Sequence, residues 1–206
     1  RAPEPLQPYP NVRLMLKTSG TSGIEADVIA LMKAMWPDTA SRPPTDVSEL
    51  RAAYPEVVLV NESWSRGQVD ALHLHANCFV ALSRAEGWNL PLQEALLWGN
   101  PAIFSDIGGH EWASKHATQP SYAVRCVDVP CLADPQAQLY NGTQLWCEPD
   151  LGMAARQMQR LVRDRPLKKD VRAKFGAYTL KTVGEGMKQA LIDLVTSPAA
   201  TKRLIQ

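Results

Sequence analysis

The sequence predicts an α/β fold: a mostly parallel sheet with helices on both faces over residues 12–163, followed by a helical extension over 164–206. Three observations carry this. Short apolar runs alternate with segments of helical periodicity. The runs are rich in Val, Leu and Phe, as in strands buried on both faces. A turn follows each of the first four runs, at 18–23, 61–66, 83–89 and 106–110.

Residues 1–11 hold four prolines and read as a connector. Val12–Lys17 (VRLMLK) is the first strand. Thr18–Gly23 is a turn whose hydroxyls suit the start of a helix near Ile24. Ile24, Val28, Leu31, Met32 and Met35 keep helical spacing up to Trp36-Pro37. A polar, Pro-rich stretch (Asp38–Thr45) leads to a short helix near Val47–Ala53. Glu56–Val60 (EVVLV) is the second strand, Gly67–Ala76 a helix, and Cys78–Leu82 (CFVAL) the third strand. Leu90–Trp98 is the next helix, closed by Gly99-Asn100 with Pro101 just beyond. Ala102–Ser105 is the fourth strand, followed by Gly108-Gly109 and a short helix through Glu111–Lys115. Tyr122–Val127 is the fifth strand; Leu151–Val162 and about Leu167–Val195 are helical. Parallel sheets bind ligands at the carboxyl ends of their strands, so the four turns are expected to line one crevice.

Composition narrows the function. The chain has 206 residues, 45% of them apolar, enough for one large domain with a core. With 22 Lys+Arg against 21 Asp+Glu, bulk phosphate neutralisation is not its mode of binding, and no nucleic acid is expected. Cys78, Cys126, Cys131 and Cys147 form no CxxC pair and read as free thiols in a reducing compartment. No apolar stretch approaches the ~18 residues of a spanning helix. A cytoplasmic protein is expected, at most peripheral to a membrane.

The chemistry gathers in residues 82–114, LSRAEGWNLPLQEALLWGNPAIFSDIGGHEWAS. Glu86 and Glu94 lie eight positions apart around the turn Gly87-Trp88-Asn89-Leu90-Pro91. A helix starting at Asn89 or Leu90 presents unpaired N–H groups and the positive end of its dipole, which suits a diphosphate. Gly87 lets backbone approach without a Cβ, Pro91 is harmless in the first turn, and Asn89 is the N-cap. Glu94 lies about one turn on, where a carboxylate accepts from a ribose diol. Glu86 stands before the helix, on the other side of such a diphosphate.

Ser83, Glu86-Gly87, Leu90-Pro91, Glu94-Ala95, Gly99, Pro101, Ser105-Asp106 and Gly108-Gly109, with Trp146-Cys147-Glu148-Pro149-Asp150 downstream, resemble the E-x7-E pattern of retaining GT-B glycosyltransferases, family 4 in particular. The resemblance spans about residues 12–163. It implies one Rossmann-like half of a GT-B fold, the donor-binding half, beginning partway through that domain. It also implies that Glu86, the catalytic candidate, contacts the donor sugar and Glu94 the ribose, with the N–H groups of Trp88, Asn89 and Leu90 toward the phosphates. Transfer would run from a nucleotide-diphospho-sugar to a glycan or lipid-linked hydroxyl, with retention, no bound metal and no other cofactor. The leaving diphosphate would deprotonate the acceptor, so stabilising that diphosphate is the main catalytic effect. Acceptor contacts belong to an N-terminal domain that this chain does not match. The chain alone is therefore expected to bind nucleotide without transferring sugar.

Relatives carry a basic pair after the first strand of this domain, and here Lys17 is the best remaining cation. Asn61 and Glu62 fall where relatives meet the nucleobase. Ser83 and His110 complete the donor-binding set, although His110 equally suits a helix cap. Position 88 is Trp where many relatives have Phe or Tyr. His73 and His75 point about 200° apart on a helix, so they share no ion with Cys78. Two other readings remain open: a nucleotide-sugar epimerase on the same fold, and a scaffold module that kept the fold without the chemistry.

Overall fold

A computed structural model describes residues 12–20, 22–34, 45–46, 48–49, 52, 57–117, 121–131, 140, 142–168 and 179–196. The expected connector over 1–11, and most of the short helix near 47–53, lie outside these. The chain divides into two compact units, Arg1–Ala71 and Leu72–Gln206.

In the first unit, β1 (Leu14–Thr18) and β2 (Val57–Asn61) pair in parallel, with Leu16 opposite Leu59. Helix α1 (Ile24–Ala34) lies between them in sequence, after the left-handed glycines Gly20 and Gly23 of the predicted turn. Helix α2 (Arg66–His75) follows β2, and the boundary between the units falls inside it.

The second unit holds a three-stranded parallel sheet in the order β3 (Phe79–Ala81), β4 (Ala102–Ser105), β5 (Tyr122–Val124). The central β4 is buried along its whole length. Successive strand residues face opposite sides, and the packing follows that rule. On one face Ala102 and Phe104 meet Leu92, Leu96, Trp112 and Ala113, from α3 (Leu90–Leu97) and α4 (Glu111–His116). On the other, Ile103 and Val124 meet Ala154 and Leu161 of α5 (Leu151–Asp164). The fold is therefore α/β, with parallel strands flanked by helices on both sides.

Helix α3 shows how local sequence fixes this. Leu92, Ala95 and Leu96 make its buried stripe. Its end is a Schellman turn: Gly99, at φ 75°, donates to Leu96 O, and Asn100 donates to Ala95 O. The Asn100 amide then donates to the His73 carbonyl at 2.8 Å, and Lys168 Nζ donates to the carbonyls of His73 and Leu74. The last turn of α2 is capped by side chains distant in sequence.

Three expectations need correction. Tyr122–Val127 is not one strand: the chain leaves the parallel sheet at Arg125 and re-enters as β6 (Cys126–Pro130), antiparallel to β7 (Leu145–Pro149). Strand β7 was not foreseen. The helix expected from Leu167 is α6 (Leu180–Thr196), with Leu167 and Lys168 outside any helix and 169–178 outside the described residues. Helix α5 ends where Arg165 turns left-handed (φ 41°), and Pro166 follows.

Asp150 starts α5, its carboxylate accepting Met153 N–H at 2.7 Å. Asp150→Ala should lower stability by about 1 kcal/mol, measurable as a reduced urea midpoint with unchanged slope. All four cysteines are free. Burial pushes the Cys78 thiol up to about 12, so it stays neutral and unreactive at physiological pH.

Candidate functional site

In the second unit the two turns expected at strand ends meet. Loop 83–89 follows β3, and loop 106–110 follows β4. A Cβ on Gly109 would fall on the Glu86 carbonyl, 2.6 Å from its carbon and 3.1 Å from Glu86 Cβ. Only glycine fits there, because the obstacle is backbone. The Trp112 indole N–H joins the same loops, donating to Trp88 O at 2.8 Å and to Gly109 O at 2.9 Å. Its ring stacks on Trp88 at 5.0 Å and 11°.

On this frame Glu86 is exposed, and its Oε1 accepts the Ser83 hydroxyl at 3.1 Å. Ser83 and Glu86 are thus brought together. A Cβ on Gly87 would meet only open space, so its backbone is approachable from outside. Trp88 is 40% exposed, its indole N–H held by Gln93 at 2.8 Å. Leu90, the first residue of α3, is exposed, as an N-terminal face open to a ligand requires.

Asn89 is the N-cap, as expected, and its Oδ1 accepts Leu92 N–H at 3.0 Å. Its backbone is left-handed (φ 60°, ψ 73°), a conformation that Asn tolerates better than most residues. Behind it lies His110, fully buried against the edge of Phe104. His110 Nδ1 lies 2.9 Å from the Ser105 carbonyl, and Nε2 lies 3.0 Å from Asn89 Nδ2. His110 therefore lies behind the loop and does not line its exposed face. Both ring nitrogens are engaged within the protein, and no part of the side chain reaches the surface.

Glu94 makes a contact that its spacing did not announce. Its Oε2 lies 3.7 Å from Nε2 of the buried His73, whose ring touches Phe79 at the start of β3. Glu86 lies past the other end of that strand. Glu94, its side chain 27% exposed, leans toward α2.

Arg84 was not singled out in the sequence. Its Nε donates to Glu148 Oε2 at 2.5 Å, its guanidinium lies 4.9 Å over the Trp146 ring, and its carbonyl accepts Cys147 N–H at 3.0 Å. The Glu148 carboxylate raises the guanidinium further above its already high range. The Trp-Cys-Glu-Pro-Asp segment thus has a physical role: Trp146 and Glu148 grip the loop that carries Glu86, and Asp150 caps α5.

Lys17 and Asn61 belong to the first unit. Lys17 Nζ donates to the Thr18 carbonyl and to Glu62 O (2.6 Å), and lies 5.3 Å over the Trp64 ring. Its ammonium is engaged by its own turn. Asn61 Oδ1 accepts the Thr18 hydroxyl. Glu62 Oε1 accepts the Trp64 indole N–H at 2.9 Å.

Trp112 and Arg84 are the residues that sequence reasoning missed, and His73 was weighed only as a metal ligand. Trp112 sat two positions past His110, but nothing in its spacing distinguishes a loop-bridging indole from ordinary core. Among the described residues, no three His, Cys, Asp or Glu side chains cluster as a metal site, and no helix is long and apolar enough to cross a membrane. No protein-family model, curated protein or solved structure matches the chain at a significant level.

Proposed function

We propose that loop 83–90 is the donor-binding surface of a retaining glycosyltransferase that uses a nucleotide-diphospho-sugar. On this reading the second unit is part of the Rossmann-like donor domain of a GT-B enzyme. One observation carries it: the Glu86 carboxylate, the open backbone at Gly87 and the exposed Leu90-Pro91 at the start of α3 lie on one short loop, locked from behind by Gly109 and Trp112. A carboxylate on such a loop suits sugar hydroxyls, and a helix N-terminus suits a diphosphate.

The sugar then falls to Glu86 and the phosphates to the backbone at 88–90. The ribose falls to Glu94, which would exchange its contact with His73 for the diol. Glu86 orients the sugar and stabilises charge; it is not a nucleophile. Catalysis rests chiefly on holding the leaving diphosphate, whose oxygen takes the acceptor's proton. The four free thiols fit the reducing cytoplasm that this reading expects.

Calorimetric titration with UDP, UDP-glucose, GDP and GDP-mannose tests this. Glu94→Ala should weaken nucleoside diphosphate and sugar nucleotide alike, by roughly tenfold or more for two lost charge-assisted hydrogen bonds. Glu86→Gln should weaken only the sugar-bearing forms. If none of the four binds the unaltered chain at millimolar concentration, the reading is wrong.

A further inference from the structure

The buried chain Ser105–His110–Asn89–Leu92 has a proton arrangement that geometry alone determines. The Ser105 carbonyl can only accept, so His110 Nδ1 carries a hydrogen and donates at 2.9 Å. The Leu92 N–H can only donate, so the Asn89 atom facing it at 3.0 Å is Oδ1. Asn89 Nδ2 therefore faces His110 Nε2 at 3.0 Å, and Nε2 accepts. Every bond is satisfied only when His110 is neutral and in the Nδ1–H form.

We propose that His110 is a positioning residue whose neutral form holds Asn89 as the cap of α3, so that protonating His110 uncaps the helix on which the donor site is built. A proton on Nε2 would point at the Asn89 NH2 group, donor against donor. If the Asn89 amide turned to offer its oxygen to the imidazolium, its NH2 would meet Leu92 N–H, and the helix would lose its cap. Either outcome leaves a buried donor without an acceptor. The charged groups on the segments packed around His110 are Asp106 and Glu111, both exposed, with Lys115 paired to Glu111. Others are Glu86 and Arg84 on the adjoining loop, paired with the Ser83 hydroxyl and with Glu148, and Glu94 on α3, beside His73. The link to ligand binding rests on the donor-site reading above; the link from His110 to the cap does not.

Amide exchange at Leu92 reads the cap directly, and calorimetry with UDP-glucose reads the site. The diphosphate of that probe is a diester and keeps its charge as the pH is lowered. In the unaltered chain, protonating His110, followed by its own ring NMR signals as the pH is lowered, should reduce Leu92 protection by roughly fivefold to tenfold, the worth of a lost cap, and weaken UDP-glucose in parallel. His110→Gln, which stays neutral, should remove both dependences. Asn89→Asp should invert them, because a carboxylate accepts from Leu92 N–H and from a protonated Nε2–H together.

Leu92 protection that ignores pH in the unaltered chain, or that falls with acid equally in His110→Gln, overturns the proposal. A Leu92 response without a change in UDP-glucose affinity overturns the positioning of the site. If UDP-glucose does not bind at all while Leu92 follows the three expected profiles, the donor-site reading has failed and the link between His110 and the cap stands.

Discussion

Gly109→Ala should destabilise the protein by about 3 kcal/mol, at the upper end of what added core atoms cost. The new Cβ would fall on the Glu86 carbonyl, 2.6 Å from its carbon. An overpacked side chain can turn to another rotamer; a carbonyl held within a braced loop cannot. Either loop 106–110 retreats, pulling the Gly109 carbonyl from Trp112, or loop 83–89 moves and carries Glu86 with it. If the proposed donor site holds, sugar-nucleotide affinity should fall with stability. Gly108→Ala is the matched control, since a Cβ there meets nothing within 4 Å. Its urea midpoint should stay within about 0.5 kcal/mol of the parent's. Equal effects of the two substitutions would show that the tight contact between the loops is not what matters.

The second large effect is expected at Asn89. Asn89→Ala removes the cap of α3, worth about 1 kcal/mol. It also places Ala in a left-handed conformation, costing about 1 kcal/mol more, and strips the buried His110 Nε2 of its donor, costing about 1–3 kcal/mol. These costs share one local rearrangement, so the measured loss should be about 3 kcal/mol, below their plain sum. Asn89→Gly separates them. Glycine accepts the left-handed backbone freely but leaves His110 equally unpaired, so it should recover only about 1 kcal/mol of the loss. Full recovery by glycine in urea denaturation would mean that the buried hydrogen bond carries no weight.

Helix α3 was legible in the sequence because its signals are local. Asn89 before Leu90-Pro91, the stripe at Leu92, Ala95 and Leu96, and the Gly99-Asn100-Pro101 stop all act within one turn of the residues that carry them. The β6–β7 hairpin was not. Trp146–Asp150 drew notice as a motif, but the strand Leu145–Pro149 depends on Cys126–Pro130 across an antiparallel pairing that no short-range pattern announces. The break at Arg125 has the same origin, since the chain there exchanges β4 for β7 as its neighbour.

The site divides likewise. Ser83 with Glu86, and Asn89 with Leu92, are three positions apart and could be read directly. His110 with Asn89, His73 with Glu94, and Arg84 with Glu148 each join residues at least 21 positions apart, and only folding brings them together. The glutamates themselves were found from their spacing. What spacing could not reveal is that one of them leans on a buried histidine.

The Trp112 indole, bridging the carbonyls of Trp88 and Gly109, bears on the entropy of binding. Fixing a free backbone residue costs about 1–2 kcal/mol, and a loop that became ordered only around its ligand would incur that cost at every encounter. Here Trp112, the Gly109 contact and the Arg84–Glu148 pair order the segment during folding. A molecule that docks on loop 83–90 meets a surface already shaped, so that even a few hydrogen bonds can register as affinity.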